Sequence, residues 1–166
     1  MNKRLAVAFT GPSNSGKTTL ITKVANALIA NGKKVSIIKN DPKDKAVFDV
    51  EGKDSHKFSQ TGADVVVTSP TRTTYFSKKQ KELDQIINML GDFDYLLVEG
   101  LKNLPLPRIS IFRYTIDDTY YPYMNALAID ESIDTELEDI PEDVDILDLN
   151  SIDQVIDWIS NHAKEV

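Results

Sequence analysis

The stretch that most limits what this chain can fold into is an apolar run followed by a glycine-bracketed loop. Leu5–Phe9 is wholly apolar, as expected of a strand buried on both faces. Gly11 and Gly16 then enclose four residues, and Lys17 and Thr18 follow directly, which gives the pattern G-x-x-x-x-G-K-[ST]. Apolar residues recur at helical spacing after it. Strand, glycine loop and helix in this order predict a phosphate-binding loop.

The predicted loop suits a polyphosphate because of its backbone and its charge. Glycine tolerates the positive φ that turns backbone N–H groups inward, and it lets an oxygen approach closely. Lys17 would reach the β and γ oxygens as the catalytic cation, and the Thr18 hydroxyl would bind Mg²⁺. We expect the nucleotide-binding residues to be Gly11, Pro12, Ser13, Asn14, Ser15, Gly16, Lys17, Thr18 and Thr19.

Segments typical of strands and of helices alternate along the rest of the chain. Strands are predicted at Val35–Ile38, Asp64–Thr68, Tyr95–Val98, Ile109–Phe112, Asn125–Ile129 and Val144–Leu147. Helices are predicted from Ser55, from Ser77 or Lys78, and after the capping residue Ser151. The alternation predicts an α/β protein with a three-layer P-loop NTPase fold, in which helices flank a mostly parallel twisted sheet. The length predicts one nucleotide-binding domain over residues 1–166.

The charge distribution and the absence of cysteine limit the ligands, metal sites and cellular compartments that this chain suits. The chain has 19 Lys and Arg against 26 Asp and Glu, and Lys164 is the only one of these cations after Arg113. The residues up to Arg113 are therefore basic overall, and they include the predicted loop, so this part of the chain suits a polyanionic ligand. The residues after Arg113 are acidic, which argues against nucleic acid as a partner for that end. There is no cysteine, so disulfides and thiolate metal sites are excluded. No apolar run is long enough for a signal sequence or a membrane span, so we expect a cytoplasmic protein with no membrane partner.

One carboxylate follows directly on a buried strand. In open parallel sheets, ligands collect at the carboxyl ends of the strands, and Glu99 follows the apolar residues Leu96–Val98. A carboxylate there would hold a water of nucleotide-bound Mg²⁺ or orient the water that attacks the γ-phosphate. The alternative is a surface acid beside a turn. We therefore predict Glu99 as a catalytic and metal-site residue.

Other polar residues near predicted strand ends are candidates for the same site. Asp49 is predicted as the second metal carboxylate and Asp41 as its rival, although each is alternatively a turn residue. Lys39 and Lys102 would bind anions or lie along the rim. Arg72 is placed just beyond the end of the third predicted strand, where it would be a bidentate phosphate ligand; the alternative is an exposed loop arginine.

Several segments taken together resemble MobB, the family of molybdopterin-guanine dinucleotide biosynthesis protein B. The resemblance runs from about Leu5 to Phe112. Its segments are GPSNSGKTTL, IIKND, DVEGKDSHKFSQTGAD, SPTR and LLVEGLK. Many NTPases share the first of these, so the distinguishing parts are the GKDS and TGA segments and the Glu99-Gly100 pair with Lys102.

The resemblance implies a small P-loop protein that binds GTP and Mg²⁺, hydrolyses GTP weakly and forms a homodimer. It also implies assistance to a MobA-type transferase, which joins GMP to the molybdopterin of the molybdenum cofactor. The residues implied near the nucleotide or cofactor are Lys53, Asp54 and Ser55, together with Arg72. The family often has histidines after the second-strand lysine, whereas Asn40–Lys43 stands here. Guanine preference rests on the resemblance alone, since no N-K-x-D segment is present.

A small-molecule kinase or an ATP-dependent ligase of P-loop fold is the alternative function. Such an enzyme needs a lid and an acceptor site, and the long polar segment 40–60 with Arg72 would supply both. ATP preference with rapid phosphoryl transfer to a metabolite would separate this alternative from the GTPase.

Overall fold

The computed structural model describes residues 3–166, and its contacts divide the chain into two compact units. The first unit combines the segment that ends at Asn40 with Asp92–Val166. The second unit is Asp41–Gly91. A single nucleotide-binding domain over the whole chain stays a prediction.

Nine strands, four α-helices and one 3₁₀ helix are formed by the described residues. The strands are β1 (Leu5–Thr10), β2 (Val35–Lys39), β3 (Val65–Ser69), β4 (Arg72–Phe76), β5 (Tyr95–Glu99), β6 (Arg108–Ile111), β7 (Ala126–Ile129), β8 (Asp145–Asp148) and β9 (Lys164–Glu165). The helices are α1 (Lys17–Ala30), α2 (Asp54–Gln60), α3 (Leu83–Leu90) and α4 (Ile152–His162), and the 3₁₀ helix is Asp118–Tyr123.

The first unit is built on one sheet with the strand order β2-β5-β1-β6-β7-β8. All these neighbours pair in parallel, and β9 adds a short antiparallel pairing at the start of β1. The predicted mostly parallel α/β sheet is therefore confirmed. Within it, Phe9 of β1 lies opposite Glu99 of β5, and Glu99 lies opposite Lys39 of β2. The carboxyl ends of these strands thus meet at one edge, where the loop after β1 also lies.

The sheet of the first unit is buried on both faces, which explains its continuous apolar runs. Ile109 and Ile111 of β6 join the core that α1 and α4 cover on one face. Leu127 and Ile129 of β7 belong to a second cluster on the opposite face, against which Tyr120 of the 3₁₀ helix packs. The alternation of strand side chains between two cores fixes the register of these strands.

The second unit contains a two-stranded antiparallel sheet, and here one prediction was wrong. The predicted strand at Asp64–Thr68 exists as β3, but it pairs with β4 in a hairpin and not with the parallel sheet. Only two residues separate β3 from β4, and a parallel partner would need a crossover of a dozen or more. Arg72 lies within β4 opposite Ser69, so the argument that placed it at a parallel strand end fails.

The third helix begins later than the sequence pattern indicates. It starts at Leu83 and not at Ser77 or Lys78, because Glu82 and Gln85 form a reciprocal capping box. The Ser77 hydroxyl instead donates to Asp64 at 2.7 Å, which holds the segment outside the helix. The predicted cap of the last helix is confirmed, since Ser151 accepts a hydrogen bond from the Gln154 backbone.

Candidate nucleotide-binding site

The loop between β1 and α1 has the backbone of an anion-binding turn. Three of its residues have positive φ: Gly11 (139°), Asn14 (64°) and Gly16 (97°). A Cβ on Gly11 would lie 2.3 Å from the backbone oxygen of Ile111 in β6, so the loop is seated against the neighbouring strand. Gly16 is the left-handed cap of α1, whose partly positive N-terminus faces the loop.

Two side chains of the loop can each donate a hydrogen bond to a bound anion. The Ser15 side chain is buried, and within residues 3–166 its hydroxyl has no hydrogen-bond partner. A buried hydroxyl without a partner is costly, and an incoming phosphate oxygen would satisfy it. The Lys17 ammonium donates to the backbone oxygen of Pro12 at 2.6 Å, which keeps it over the loop. The residues present therefore fit a polyphosphate.

The charge around Lys17 is balanced by one carboxylate. Burial lowers the pKa of Lys17, the negative charge of Glu99 opposes that shift, and the positive charge of Lys39 adds to it. Glu99 is itself paired, because its Oε2 lies 3.0 Å from the Lys39 ammonium. The Glu99 carboxylate is only 15% exposed whereas the Lys39 side chain is 63% exposed, so the anion is the more enclosed member of the pair. The structure brings the three predicted residues Lys17, Lys39 and Glu99 together.

The loop after β5 is held by a buried arginine that sequence reasoning missed. Arg108, the first residue of β6, is 1% exposed. Its guanidinium donates to the backbone oxygens of Gly100 (2.9 Å) and Leu101 (3.0 Å), and to those of Lys102 and Leu104 at 3.3 Å. Desolvation lowers the pKa of Arg108. The backbone that directly follows Glu99 is thus fixed by one side chain.

Lys102 lies on an aromatic cluster. Its ammonium is 3.5 Å from the centroid of the Tyr120 ring and 5.8 Å from that of Tyr123. This is a cation–π contact, which gives Lys102 a structural role in holding the 3₁₀ helix. Its predicted part in the rim of the site stays a prediction.

A cavity of about 100 Å³ adjoins the loop on the side of β6 to β8. Its lining includes Gly16 and, from the segment after β6, Arg113. The Arg113 Nε lies 3.0 Å from the Asp130 carboxylate, which follows β7. Hydrogen bonds from the Ser132 hydroxyl and backbone are the main cause of a lowered Asp130 pKa, and Arg113 adds to it. Sequence reasoning missed this ion pair, since its members come from different strands and neither belongs to a motif.

Six predicted site residues belong to the second unit and are described within it. Asp41 accepts from the backbone N–H groups of Lys45 and Ala46 at 2.7 and 2.6 Å, which is the turn alternative considered for it. Asp49 accepts from the hydroxyls of Ser55 and Ser59 at 2.9 and 2.8 Å, so it holds the start of α2. The remaining three, Lys53, Asp54 and Arg72, are exposed. A role for these residues in nucleotide, metal or cofactor binding stays a prediction.

A resident metal cage is not part of the described chain. Within residues 3–166, no group of three or more His, Asp or Glu side chains lies close enough together to hold a metal ion. Nucleotide-bound Mg²⁺ does not need such a group, because phosphates and waters supply most of its ligands. The exposed Thr18 on the first turn of α1 and the carboxylate of Glu99 fit that mode.

None of the helices formed by residues 3–166 is long and apolar enough to span a membrane.

Comparisons with known proteins agree with one another. The family model of molybdopterin guanine dinucleotide synthesis protein B matches residues 6–130. The molybdopterin-guanine dinucleotide biosynthesis adapter protein of Haemophilus influenzae is 32% identical over 97% of this chain and 91% of its own length. The Escherichia coli protein of the same name is 30% identical over 92% of this chain and 90% of its own.

A solved structure supports the fold. The crystal structure of Bacillus subtilis MobB matches with a TM-score of 0.76 at 20% identity, over 96% of this chain and 98% of that one. At that identity the match bears on the fold alone, and it confirms the predicted α/β P-loop fold.

Proposed function

The chain belongs to the MobB family of molybdopterin guanine dinucleotide synthesis proteins, and we propose that it is a GTP-binding adapter in the attachment of GMP to molybdopterin. The family named from the sequence is thereby confirmed. The observation that supports nucleotide binding is the loop itself. Its buried Ser15 hydroxyl has no partner within the described residues, and Lys17 and Glu99 lie beside each other. The kinase or ligase alternative gains no support from the family.

The proposed chemistry is positioning and charge stabilisation. Bound Mg²⁺ would neutralise charge on the β and γ oxygens. Lys17 would leave the Pro12 oxygen for those phosphate oxygens, and Thr18 would offer its hydroxyl to the metal. Glu99 would orient the water, since its carboxylate is only 15% exposed and its charge acts on Lys17. We propose that turnover is slow, because the cations next to Glu99 are lysines and not an arginine aimed at the γ-phosphate.

The proposed partners are a MobA-type GMP transferase, the molybdenum cofactor and a second copy of the chain in the cytoplasm. An interface is supported by the second unit, because several of its large apolar side chains are exposed. They include Val47 (84%), Phe48 (80%), Val50 (62%), Val66 (60%) and Phe58 (59%). Exposed apolar side chains that lie together on a protein surface commonly mark contacts with other proteins.

Calorimetry with GTP and ATP, with and without Mg²⁺, tests the nucleotide part. We expect Mg²⁺-dependent GTP binding that Lys17→Ala abolishes while the melting temperature stays unchanged. Lys33→Ala is the matched control, because Lys33 is an exposed lysine just after the other end of α1. A preference for ATP, with rapid phosphoryl transfer to a metabolite, would contradict the proposal. The adapter part predicts faster GMP attachment by the transferase when the chain is added.

A further inference from the structure

The cavity beside Gly16 is lined in part by residues that follow two parallel strands, β6 and β8. Arg113 comes from the segment after β6, and Leu149 and Asn150 follow β8 directly. The α1 residues Thr19 and Lys23 complete the wall next to the loop. At about 100 Å³ the cavity is smaller than the roughly 300–1,000 Å³ of pockets that enclose a whole ligand of drug size. It therefore suits one part of a nucleotide, with the remainder lying along the loop.

The opposite side of the loop is occupied by charge. There the ends of β5 and β2 bring Glu99 and Lys39 together. The charges of both residues act on Lys17. Carboxylate and ammonium groups suit a metal and terminal phosphates better than an uncharged ring. A nucleotide whose phosphates lie on the loop therefore has room for its base toward β6 to β8.

We propose that the base of the nucleotide occupies this cavity and that Arg113 recognises it as guanine. The inference rests on the proposed nucleotide binding and adds the residue that selects the base. Guanine presents two acceptors, O6 and N7, on one edge, and an arginine donates to both at once. Adenine presents an amino donor in place of O6, so the same arginine would face a donor.

The geometry of Arg113 fits this role. Its Nε lies 3.0 Å from the Asp130 carboxylate, and within residues 3–166 the four N–H donors on its terminal nitrogens have no hydrogen-bond partner, so they are available for a ligand. The side chain is 41% exposed, whereas Asp130 is 11% exposed and is held by Ser132. The carboxylate is therefore the fixed member, and it sets the plane of the guanidinium. Asp130 acts as a positioning residue in this scheme.

The test compares variants of the whole chain with probes that differ in one feature. The variants are Arg113→Ala, Arg113→Lys and Asp130→Asn, and Arg4→Ala is the matched control at the opposite end of β1. The probes are GTP, ITP, ATP and inorganic tripolyphosphate. ITP keeps O6 and N7 but lacks the 2-amino group, and tripolyphosphate has no base.

We expect Arg113→Ala to lower the affinities for GTP and ITP by the same factor, on the order of 10- to 100-fold. The affinity for tripolyphosphate should stay unchanged. Arg113→Lys would lose most of the preference for GTP over ATP, because an ammonium lacks the planar fork. Asp130→Asn would reduce that preference by a smaller factor without changing tripolyphosphate binding. Arg4→Ala would behave as the unaltered chain.

The failures are distinguishable. If the unaltered chain does not bind GTP, the proposed function fails. If Lys17→Ala abolishes GTP binding but the Arg113 variants keep the same ratio of GTP to ATP affinity, the base inference alone is wrong. An equal loss of tripolyphosphate and GTP affinity in Arg113→Ala would make Arg113 a phosphate ligand, which also overturns the inference.

Discussion

Replacing Gly11 by alanine tests the seating of the loop most directly. The added Cβ would lie 2.3 Å from the Ile111 backbone oxygen and 3.0 Å from the Ser15 hydroxyl. The first neighbour belongs to a paired strand and has no freedom to rotate away. Because φ at Gly11 is +139°, the substitution also forces a side chain into a backbone region that is essentially restricted to glycine.

The two effects set the expected magnitude. Strain from the backbone conformation costs about 1–3 kcal/mol, and forcing atoms into a packed region costs about 1–3 kcal/mol more. We expect Gly11→Ala to lower the free energy of unfolding by about 2–6 kcal/mol. For a chain of this size that corresponds to a fall in melting temperature of roughly 5–20 °C. GTP binding should also weaken, since Ser15 moves with the loop.

Gly32→Ala is the matched control, measured with Gly11→Ala by urea and thermal denaturation. Gly32 also has positive φ, at +75°, but a Cβ there meets no atom within 4 Å. It should therefore cost only the roughly 1–2 kcal/mol of left-handed backbone strain. The difference between the two variants contains the contacts with Ile111 and Ser15 together with the larger backbone strain at Gly11. Equal losses in the two variants would refute the reasoning that the loop is packed against β6.

Two further predictions concern the edge of the sheet at Glu99. Glu99→Gln should slow GTP hydrolysis more than it weakens GTP binding, because the carboxylate is proposed to act on the water or the metal. Single-turnover hydrolysis measures the first effect and calorimetry the second. An unchanged turnover rate would remove Glu99 from the mechanism. Arg108→Met should lower the free energy of unfolding by about 2–4 kcal/mol and speed amide exchange in residues 100–104, because it removes the donors to four carbonyls. Arg72→Met is the control at an exposed site, and it should change the free energy of unfolding by no more than about 0.5 kcal/mol. A loss of stability as large as that of Arg108→Met would contradict the role given to Arg108.

The loop that we assign to phosphate could be predicted because it is encoded in one segment. Strand, loop and first helix follow each other between Leu5 and Ala30, and each has a local signal: a continuous apolar run, fixed glycines and helical periodicity. Glu99 was found for a similar reason, since its strand is apolar throughout and a carboxylate at its end is conspicuous. Local patterns are sufficient where burial on both faces leaves little choice of register.

The errors occurred where the pattern is weak or the partner is distant. The strand Arg72–Phe76 is polar in its first half and largely exposed, so nothing in its composition separates it from a loop. Without that strand, β3 was assigned to the parallel sheet by its apolar residues alone. Arg108 stands at the head of an apolar strand, and its burial depends on carbonyls of a loop that no sequence pattern places beneath it.

The two halves of the proposed site therefore differ in how the sequence specifies them. The phosphate end is contiguous, so a motif identifies it and a change within it should affect every nucleotide alike. The base end takes Arg113 from one strand end, Asp130 from the next and Asn150 from the third, and no spacing links them along the chain. Selection of the base is then a property of the folded sheet, which is why a loop motif predicts nucleotide binding and leaves open which nucleotide is preferred.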